Sequence, residues 1–127
     1  MRSIRLALLA LSMCFISSAF AGNFGFTSDP AVQVDATGYL VSKVSYQIQS
    51  KLYQVYFNAG DVNPKLMDNL CTKFRFNKAR TWTTMGGNGV PMSFVVFNGQ
   101  LNVVEVYENT SFTGVIWQGV SGLICEY

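Results

Sequence analysis

The chain has 127 residues, of which 50% are hydrophobic, 14% aromatic and 13% charged, and its nine basic and seven acidic residues give a net charge of +2. This apolar content excludes a disordered chain and predicts a folded core. The sequence contains no histidine, which excludes Ser-His-Asp and Cys-His catalysis, histidine metal sites and the usual general base near neutral pH.

The first 21 residues have the pattern of a cleavable secretory signal. Arg2 and Arg5 precede an apolar run that begins at Leu6, and small residues lead to an Ala-x-Ala sequence at 19–21. This order is typical of a signal peptide. The apolar run has about ten to twelve residues, whereas a membrane span needs about twenty. We therefore predict cleavage after Ala21, no membrane span in the mature chain, and a periplasmic or secreted location.

Residues 22–127 are predicted to form a single β-rich domain. Without the two arginines of the signal, this part has seven basic and seven acidic residues and no net charge. Neutrality removes the electrostatic argument for a nucleic-acid partner. Of the three cysteines, Cys14 leaves with the signal, and Cys71 and Cys125 remain as an even pair. Since an exported protein permits disulfides, we predict that these two are bonded.

The first part of the mature chain is predicted to contain strands. Residues 22–38 have several glycines and an Asp-Pro pair, which indicates a loose lead-in with room for one short strand. Between 39 and 57, apolar and polar residues alternate and β-branched and aromatic residues are frequent, which favours two strands that turn near 49–51. The same apolar positions also suit one face of a helix, so that alternative stays open.

One short helix is predicted at about residues 64–73. Asn63 can cap it with its side chain, and Pro64 suits the first helical position, where no backbone donor is needed. Apolar residues then recur at steps of three and four, on the face that should be buried: Leu66, Met67, Leu70, Cys71 and Phe74. The helix thus places Cys71 where a terminal strand can bring Cys125 to it.

From residue 74 onward the pattern predicts antiparallel strands. The Asn98-Gly99 pair between two strand-like runs predicts a two-residue hairpin turn, with Val96 opposite Leu101 and a β-bulge near 103–104. The predicted core side of this hairpin is formed by Phe94, Val96, Leu101 and Val103.

Two further strands are predicted at 112–118 and 123–127, with a glycine-containing break at 119–122. The fold class that follows is α+β: a mostly antiparallel sheet with one short helix, joined by the disulfide.

The candidate binding surface is a stretch where basic and aromatic residues alternate. Basic residues recur between 73 and 80, interleaved with Phe74, Phe76 and Trp82. On a strand, Lys73 and Arg75 would face solvent and the phenylalanines the core. Such a face can bind a phosphate backbone, an anionic glycan or an acidic protein surface. The alternative is an ordinary solvated strand, with Trp82 in the core.

The glycine-rich sequence at 86–89 lacks the Gly-Lys-Ser/Thr ending of a phosphate-binding loop, so it is predicted to be a flexible loop open to a partner. The residues predicted to bind a partner are Lys73, Arg75, Arg80, Trp82 and Asn88.

These observations predict a non-catalytic binding module without a cofactor or metal, including an inhibitor or immunity-type protein, whose partner is a protein or glycan outside the cytoplasm. Two alternatives stay open. The first is a small hydrolase with paired carboxylates. Glu105 and Glu108 are separated by an odd number of positions, so on a regular strand they should face opposite sides. The second is a surface-assembly subunit that uses an open strand edge.

Overall fold

The computed structural model describes residues 24–127, so the predicted signal peptide and the start of the mature chain lie outside it. In chain order the elements are β1 (Phe24–Thr27), β2 (Val32–Gln33), β3 (Gly38–Val41), β4 (Ser45–Ile48), β5 (Lys51–Asn58), α1 (Pro64–Thr72), β6 (Lys78–Asn88), β7 (Met92–Phe97), β8 (Val103–Thr110) and β9 (Thr113–Glu126). Within this part of the chain, no helix is long and apolar enough to cross a membrane.

The strands form two sheets that meet along β9. The first sheet has the order β1-β4-β5-β7-β8, and the second has the order β2-β3-β9-β6. They are linked where Phe57 and Asn58 of β5 pair with Gln118 and Trp117 of β9. All neighbours are antiparallel except β5 and β7, which run parallel. The structure is therefore a mostly antiparallel β-protein with one nine-residue helix attached, and the predicted α+β class holds only in that limited sense.

The main core lies between the inner face of the first sheet, helix α1 and the second sheet. Its fully buried side chains include Phe57 and Phe97 from the first sheet, Leu70 from the helix and Leu123 from β9. Each large buried side chain of this kind stabilises the fold by about 1.5–3 kcal/mol.

Helix α1 confirms the prediction made from capping and periodicity. The Asn63 side chain accepts a hydrogen bond from the N–H of Leu66 at 2.9 Å, and Pro64 is the first helical residue. The helix ends because Arg75 adopts a left-handed conformation (φ 73°), which lets the N–H of Phe76 donate to the Cys71 carbonyl at 3.1 Å. The strand expected from residue 74 therefore begins only at Lys78.

The predicted disulfide is present and joins the helix to the last strand. Cys71 and Cys125 are both buried, with their Cα atoms 5.8 Å apart. The bond fastens α1 across the main core to the end of β9.

The predicted two-residue hairpin turn at Asn98-Gly99 is wrong. The N–H of Leu101 donates to the Asn98 carbonyl, and Leu101 rather than Gly99 takes the positive φ (60°). The Asn98 side chain also accepts from the N–H groups of Gln100 and Asn102, which stabilises a three-residue loop. The longer loop changes the pairing, so that Val96 lies opposite Glu105.

The predicted bulge near 103–104 is present, because Phe97 pairs with Val103 while Val96 pairs with Glu105. The predicted core side of the hairpin is wrong in part. Val95 and Phe97 face the main core, whereas Phe94 and Val96 are buried on the opposite face of the sheet. Val103 is exposed.

Residues 39–57 belong to three strands rather than two, and the helical alternative is wrong. The chain leaves the second sheet after Val41, which pairs with β9, and enters the first sheet at Ser45. The turn at 49–50 lies where it was predicted. The lead-in before residue 38 contains two short strands, β1 and β2, instead of one.

The two glycine-containing segments predicted as breaks are parts of strands. Residues 119–121 pair with β6, so β9 is continuous from 113 to 126. Gly87 and Asn88 pair with Gly114 and Thr113, and the turn begins only at residue 89. Cross-strand pairing overrides the local preference of glycine for turns in both places.

Candidate functional site

The structure separates the five residues predicted to bind a partner. Lys73 and Arg75 are exposed in the turn that ends α1, where positive charge is favourable at the helix C-terminus. Phe76 is buried and Phe74 half-buried against the main core. The two basic side chains face solvent and the two phenylalanines face the core, as predicted for a strand, although the backbone here forms a turn.

Arg80 is bound by carboxylates of this chain. Its guanidinium donates from Nη1 and Nη2 to both carboxylate oxygens of Asp35, at 2.5 and 2.9 Å, and from Nε to Glu126 Oε2 at 2.7 Å. Nη2 also donates to the Thr37 hydroxyl at 2.7 Å. Such a bidentate pair is the strong form of a surface ion pair. The predicted anion-binding role of Arg80 would have to compete with two internal carboxylates.

Trp82 and Asn88 lie in other surroundings. Trp82 is half-buried and packs against the main core. The ladder between β6 and β9 is irregular on both sides of Thr81, which breaks the alternation that was expected to place Trp82 beside Arg80. Asn88 is exposed at the far end of β6, where its side chain accepts a hydrogen bond from the N–H of Val90 at 3.1 Å. The structure does not join these residues into one site.

The Arg80 cluster should make stability depend on acid pH. Hydrogen bonds from Arg80 lower the pKa of Asp35 and of Glu126 below their usual values. A carboxylate with a lowered folded-state pKa stabilises the fold above its unfolded pKa, which is about 4, and that contribution is lost as pH falls further. We expect the melting temperature to be level from neutral pH to about 5 and to fall below about 4.

The control for this prediction is Arg80→Met, which removes the guanidinium but keeps much of the side-chain volume. The melting temperature of the variant should be lower at neutral pH and should fall less steeply in acid, because Asp35 and Glu126 then titrate closer to their ordinary values. Thermal unfolding between pH 2.5 and 7 measures both curves. Parallel curves for the two proteins would contradict the assignment.

A second polar cluster, which the sequence did not reveal, ties β8 to β5. Glu108 accepts hydrogen bonds from Lys51, from the hydroxyl of Tyr53 and, at 3.2 Å, from the hydroxyl of Ser93. The bonds from Lys51 and Tyr53 lower the pKa of Glu108. Glu105 faces the other side of the sheet, as its odd separation predicted. Because Glu108 already has three donors, we interpret it as a structural clamp.

Five aromatic rings form a connected cluster on the outer face of the first sheet, three from its own strands, one from the β8–β9 connection and one from β9. We call Tyr56, Phe94, Tyr107, Phe112 and Trp117 the outer aromatic cluster. Phe94 is fully buried, and Tyr107 stacks on it with ring centroids 4.9 Å apart. Trp117 lies 5.0 Å from both Tyr107 and Phe112. Each such aromatic pair adds about 0.5–1.5 kcal/mol beyond burial.

Three rings of this cluster stay at the surface of the described chain. Helix α1 packs on the other face of the sheet. There it contacts the side chains of β5 and β7 that alternate with those of the cluster and point into the main core. Tyr107, Phe112 and Trp117 therefore remain only half-buried. Leu52, on the same face of β5 as Tyr56, is 59% exposed. Glu105 is exposed on this face and accepts a hydrogen bond from Tyr107.

Sequence reasoning missed this cluster for an identifiable reason. The continuous apolar run from Phe94 to Phe97 is typical of a strand buried on both faces. A hairpin strand usually has one buried face, and the predicted hairpin therefore indicated only one here. Phe112 and Trp117 gave no local signal, since they reach the cluster only through the pairing of β9 with β5.

Within residues 24–127, no group of three or more His, Cys, Asp or Glu side chains lies close enough to hold a metal ion. No family model, curated protein or solved structure matches this chain.

Proposed function

We propose that the protein is an exported, non-catalytic binding module that captures another protein through the outer aromatic cluster and its rim. The observation that carries the proposal is the surface of this cluster, where Tyr107, Phe112 and Trp117 are only half-buried while Phe94 and Tyr56 are buried. Aromatic side chains are enriched at protein interfaces, and large apolar faces left open on a folded chain mark interaction sites.

The rim of the face favours a protein partner. Leu52 offers an exposed apolar side chain, whereas a glycan would be better served by hydrogen-bonding groups. Glu105 supplies a carboxylate beside Tyr107, where an arginine or lysine of the partner can pair with the charge and stack on the ring. The proposed partner surface therefore combines apolar side chains with a basic one.

Binding without chemistry is the mode of action of inhibitor and immunity-type proteins, and we propose that mode here. The rival, a hydrolase with paired carboxylates, receives little support. Asp35 and Glu126 come together, but only through Arg80, and both have lowered pKa values. A catalytic acid of that class needs a raised pKa and an open cleft. The buried disulfide supports export, since such bonds persist in oxidising compartments.

A second candidate function is strand-mediated assembly. Among residues 24–127, strand β8 pairs only with β7, which leaves its outer edge open within this part of the chain, and Val104 and Val106 of β8 are exposed. An open apolar edge can add a strand from another chain. Register irregularities near both ends of the β7–β8 ladder make the edge less regular, which is why this candidate ranks second.

Two matched surface variants test the proposal. Leu52→Asp places a charge on the proposed face, and Val32→Asp places the same charge on β2, at a position that is also 59% exposed. Immobilised proteins are incubated with extracellular extract of the source cells, the captured partner is identified by mass spectrometry, and its affinity is then measured with purified components. Leu52→Asp should weaken binding at least tenfold, because the charge must be desolvated in the interface.

Glu105→Lys should weaken the same complex through charge repulsion, while Val32→Asp should bind like the wild type. Thermal unfolding checks that all three variants are folded. Equal binding by Leu52→Asp and the wild type would refute the proposed face. Loss of binding only when β8 is altered, for example by Val106→Asp, would favour assembly through the strand edge. Capture of a purified glycan in place of a protein would overturn the partner class.

A further inference from the structure

A cleft of about 550 Å³ opens where the two sheets diverge. On one side of β5, residue 54 is the last to pair with β4, and pairing resumes at residue 57 with β9. On the facing side of β9, pairing with β5 ends at 118, and pairing with β3 begins at 123. The edges of both strands are thus unpaired around the cleft, and the β3–β4 connection closes its third side. The volume is within the range of small-molecule sites, about 300–1,000 Å³.

The wall of the cleft is mixed, with an apolar majority. Its apolar part includes Leu40, Val44, Met85 and Val120, with Gly119 between Met85 and the ring of Tyr56, and its polar part includes Ser42, Ser45, Gln54 and Ser121. A Cβ at residue 119 would lie 3.4 Å from that ring, so glycine leaves room for the ring at the wall. A ligand held here therefore needs an apolar body.

Two polar groups at the cleft lack strong partners. Tyr56 is only 7% exposed, burial is the sole cause that raises its pKa, and its hydroxyl has no hydrogen-bond partner among the described residues. A buried polar group without a partner calls for an explanation. Of the described residues that line the cleft, Lys43 alone is charged, and its side chain is 79% exposed, with Asp29 3.7 Å away. An ion pair at that exposure holds the lysine weakly.

Lys43 lies in the short connection between β3 and β4. Lys43 has a φ of 55°, the left-handed region that favours glycine or asparagine. Arg75 and Leu101 take the same region in turns, so this conformation by itself indicates only that the β3–β4 connection turns sharply at Lys43. Lysine at this position presents a cation at the mouth of the cleft.

We propose that the cleft binds a small amphipathic anion: a carboxylate held by Lys43 at the mouth, an apolar chain along the wall, and an oxygen that accepts a hydrogen bond from Tyr56 inside. Tyr56 also belongs to the outer aromatic cluster, so the cleft and the proposed protein-binding face share this one side chain.

Three probes separate the contributions of the two groups. They are 10-hydroxydecanoate, decanoate, which lacks the inner hydroxyl, and 1,10-decanediol, which lacks the carboxylate. Calorimetric titration of the wild type should give the tightest binding for 10-hydroxydecanoate. Decanoate should bind about fivefold more weakly and the diol about tenfold more weakly, as expected for a neutral and a charge-assisted hydrogen bond.

Two variants assign these differences to residues. Tyr56→Phe should abolish the advantage of 10-hydroxydecanoate over decanoate and leave decanoate binding unchanged. It should keep or raise the melting temperature, because it removes an unpaired hydroxyl. Lys43→Asn, which keeps a residue suited to the left-handed backbone, should abolish the advantage of 10-hydroxydecanoate over the diol.

Leu52→Asp, on the outer aromatic face, should leave all three affinities unchanged. The proposal is overturned if the wild type binds none of the probes or binds all three equally. It is also overturned if the two cleft variants keep the wild-type ratios, or if Leu52→Asp lowers the affinities, which would move the binding to the outer face.

Discussion

Replacement of both Cys71 and Cys125 by alanine is expected to lower the free energy of unfolding by about 3–4 kcal/mol. The bond closes a loop with a sequence separation of 54 residues, so its loss frees a large part of the unfolded chain. Both cysteines are fully buried, and the bond is the covalent link between α1 and β9. Urea unfolding at neutral pH, followed by tryptophan fluorescence, measures the change.

The reduced wild type is the matched control for this variant. It should unfold within about 1 kcal/mol of the double alanine variant, since both lack the cross-link and differ only in two buried sulfur atoms. Equal stability of the oxidised wild type and the alanine variant would show that the bond does not form in the native protein. A variant that fails to fold at all would mean that the bond contributes more than the chain-entropy argument allows.

The parts of the fold that could be predicted are those that local chemistry determines. Asn63 and Pro64 define the start of α1 because capping needs only neighbouring residues. The disulfide followed from the compartment and from the face of the helix on which Cys71 lies. The bulge near 103–104 followed from a break in apolar alternation.

The parts that could not be predicted depend on contacts between distant segments. Two features leave no local signal in the sequence: β5 pairs in parallel with β7, and β9 pairs with strands of both sheets. The outer aromatic cluster and the cleft both result from that topology, so neither could be located from residue spacing. Arg80 shows the same limit: Asp35, its bidentate partner, is 45 residues away in sequence. Charge alternation around Arg80 indicated a binding surface, whereas the three-dimensional arrangement supplies an internal partner.

Substitution of Gly86 by alanine is expected to destabilise the protein by about 3 kcal/mol, the upper end of the usual cost of overpacking. A Cβ built at this position lies 2.1 Å from the carbonyl oxygen of Gly114. The oxygen belongs to the backbone of β9 and the position of the Cβ is fixed by the backbone of β6, so no side-chain rotation can relieve the contact. It would require β6 and β9 to separate over the segment where Gly87 pairs with Gly114. Thermal and urea unfolding of the variant give the measurement.

Gly99→Ala is the matched control, because it adds the same methyl group at a glycine in the 98–102 loop. There the nearest atom to the added Cβ is Asp61 Cγ at 3.7 Å, an ordinary contact, and the φ of Gly99 is not positive. We expect a change within about 0.5 kcal/mol, or a slight gain from the less flexible unfolded chain. If residues 86–89 were a flexible loop or a phosphate cradle, alanine would be tolerated equally at 86 and 99. A large loss at Gly86 alone would mean that the glycine-rich sequence is there to let two strands approach closely.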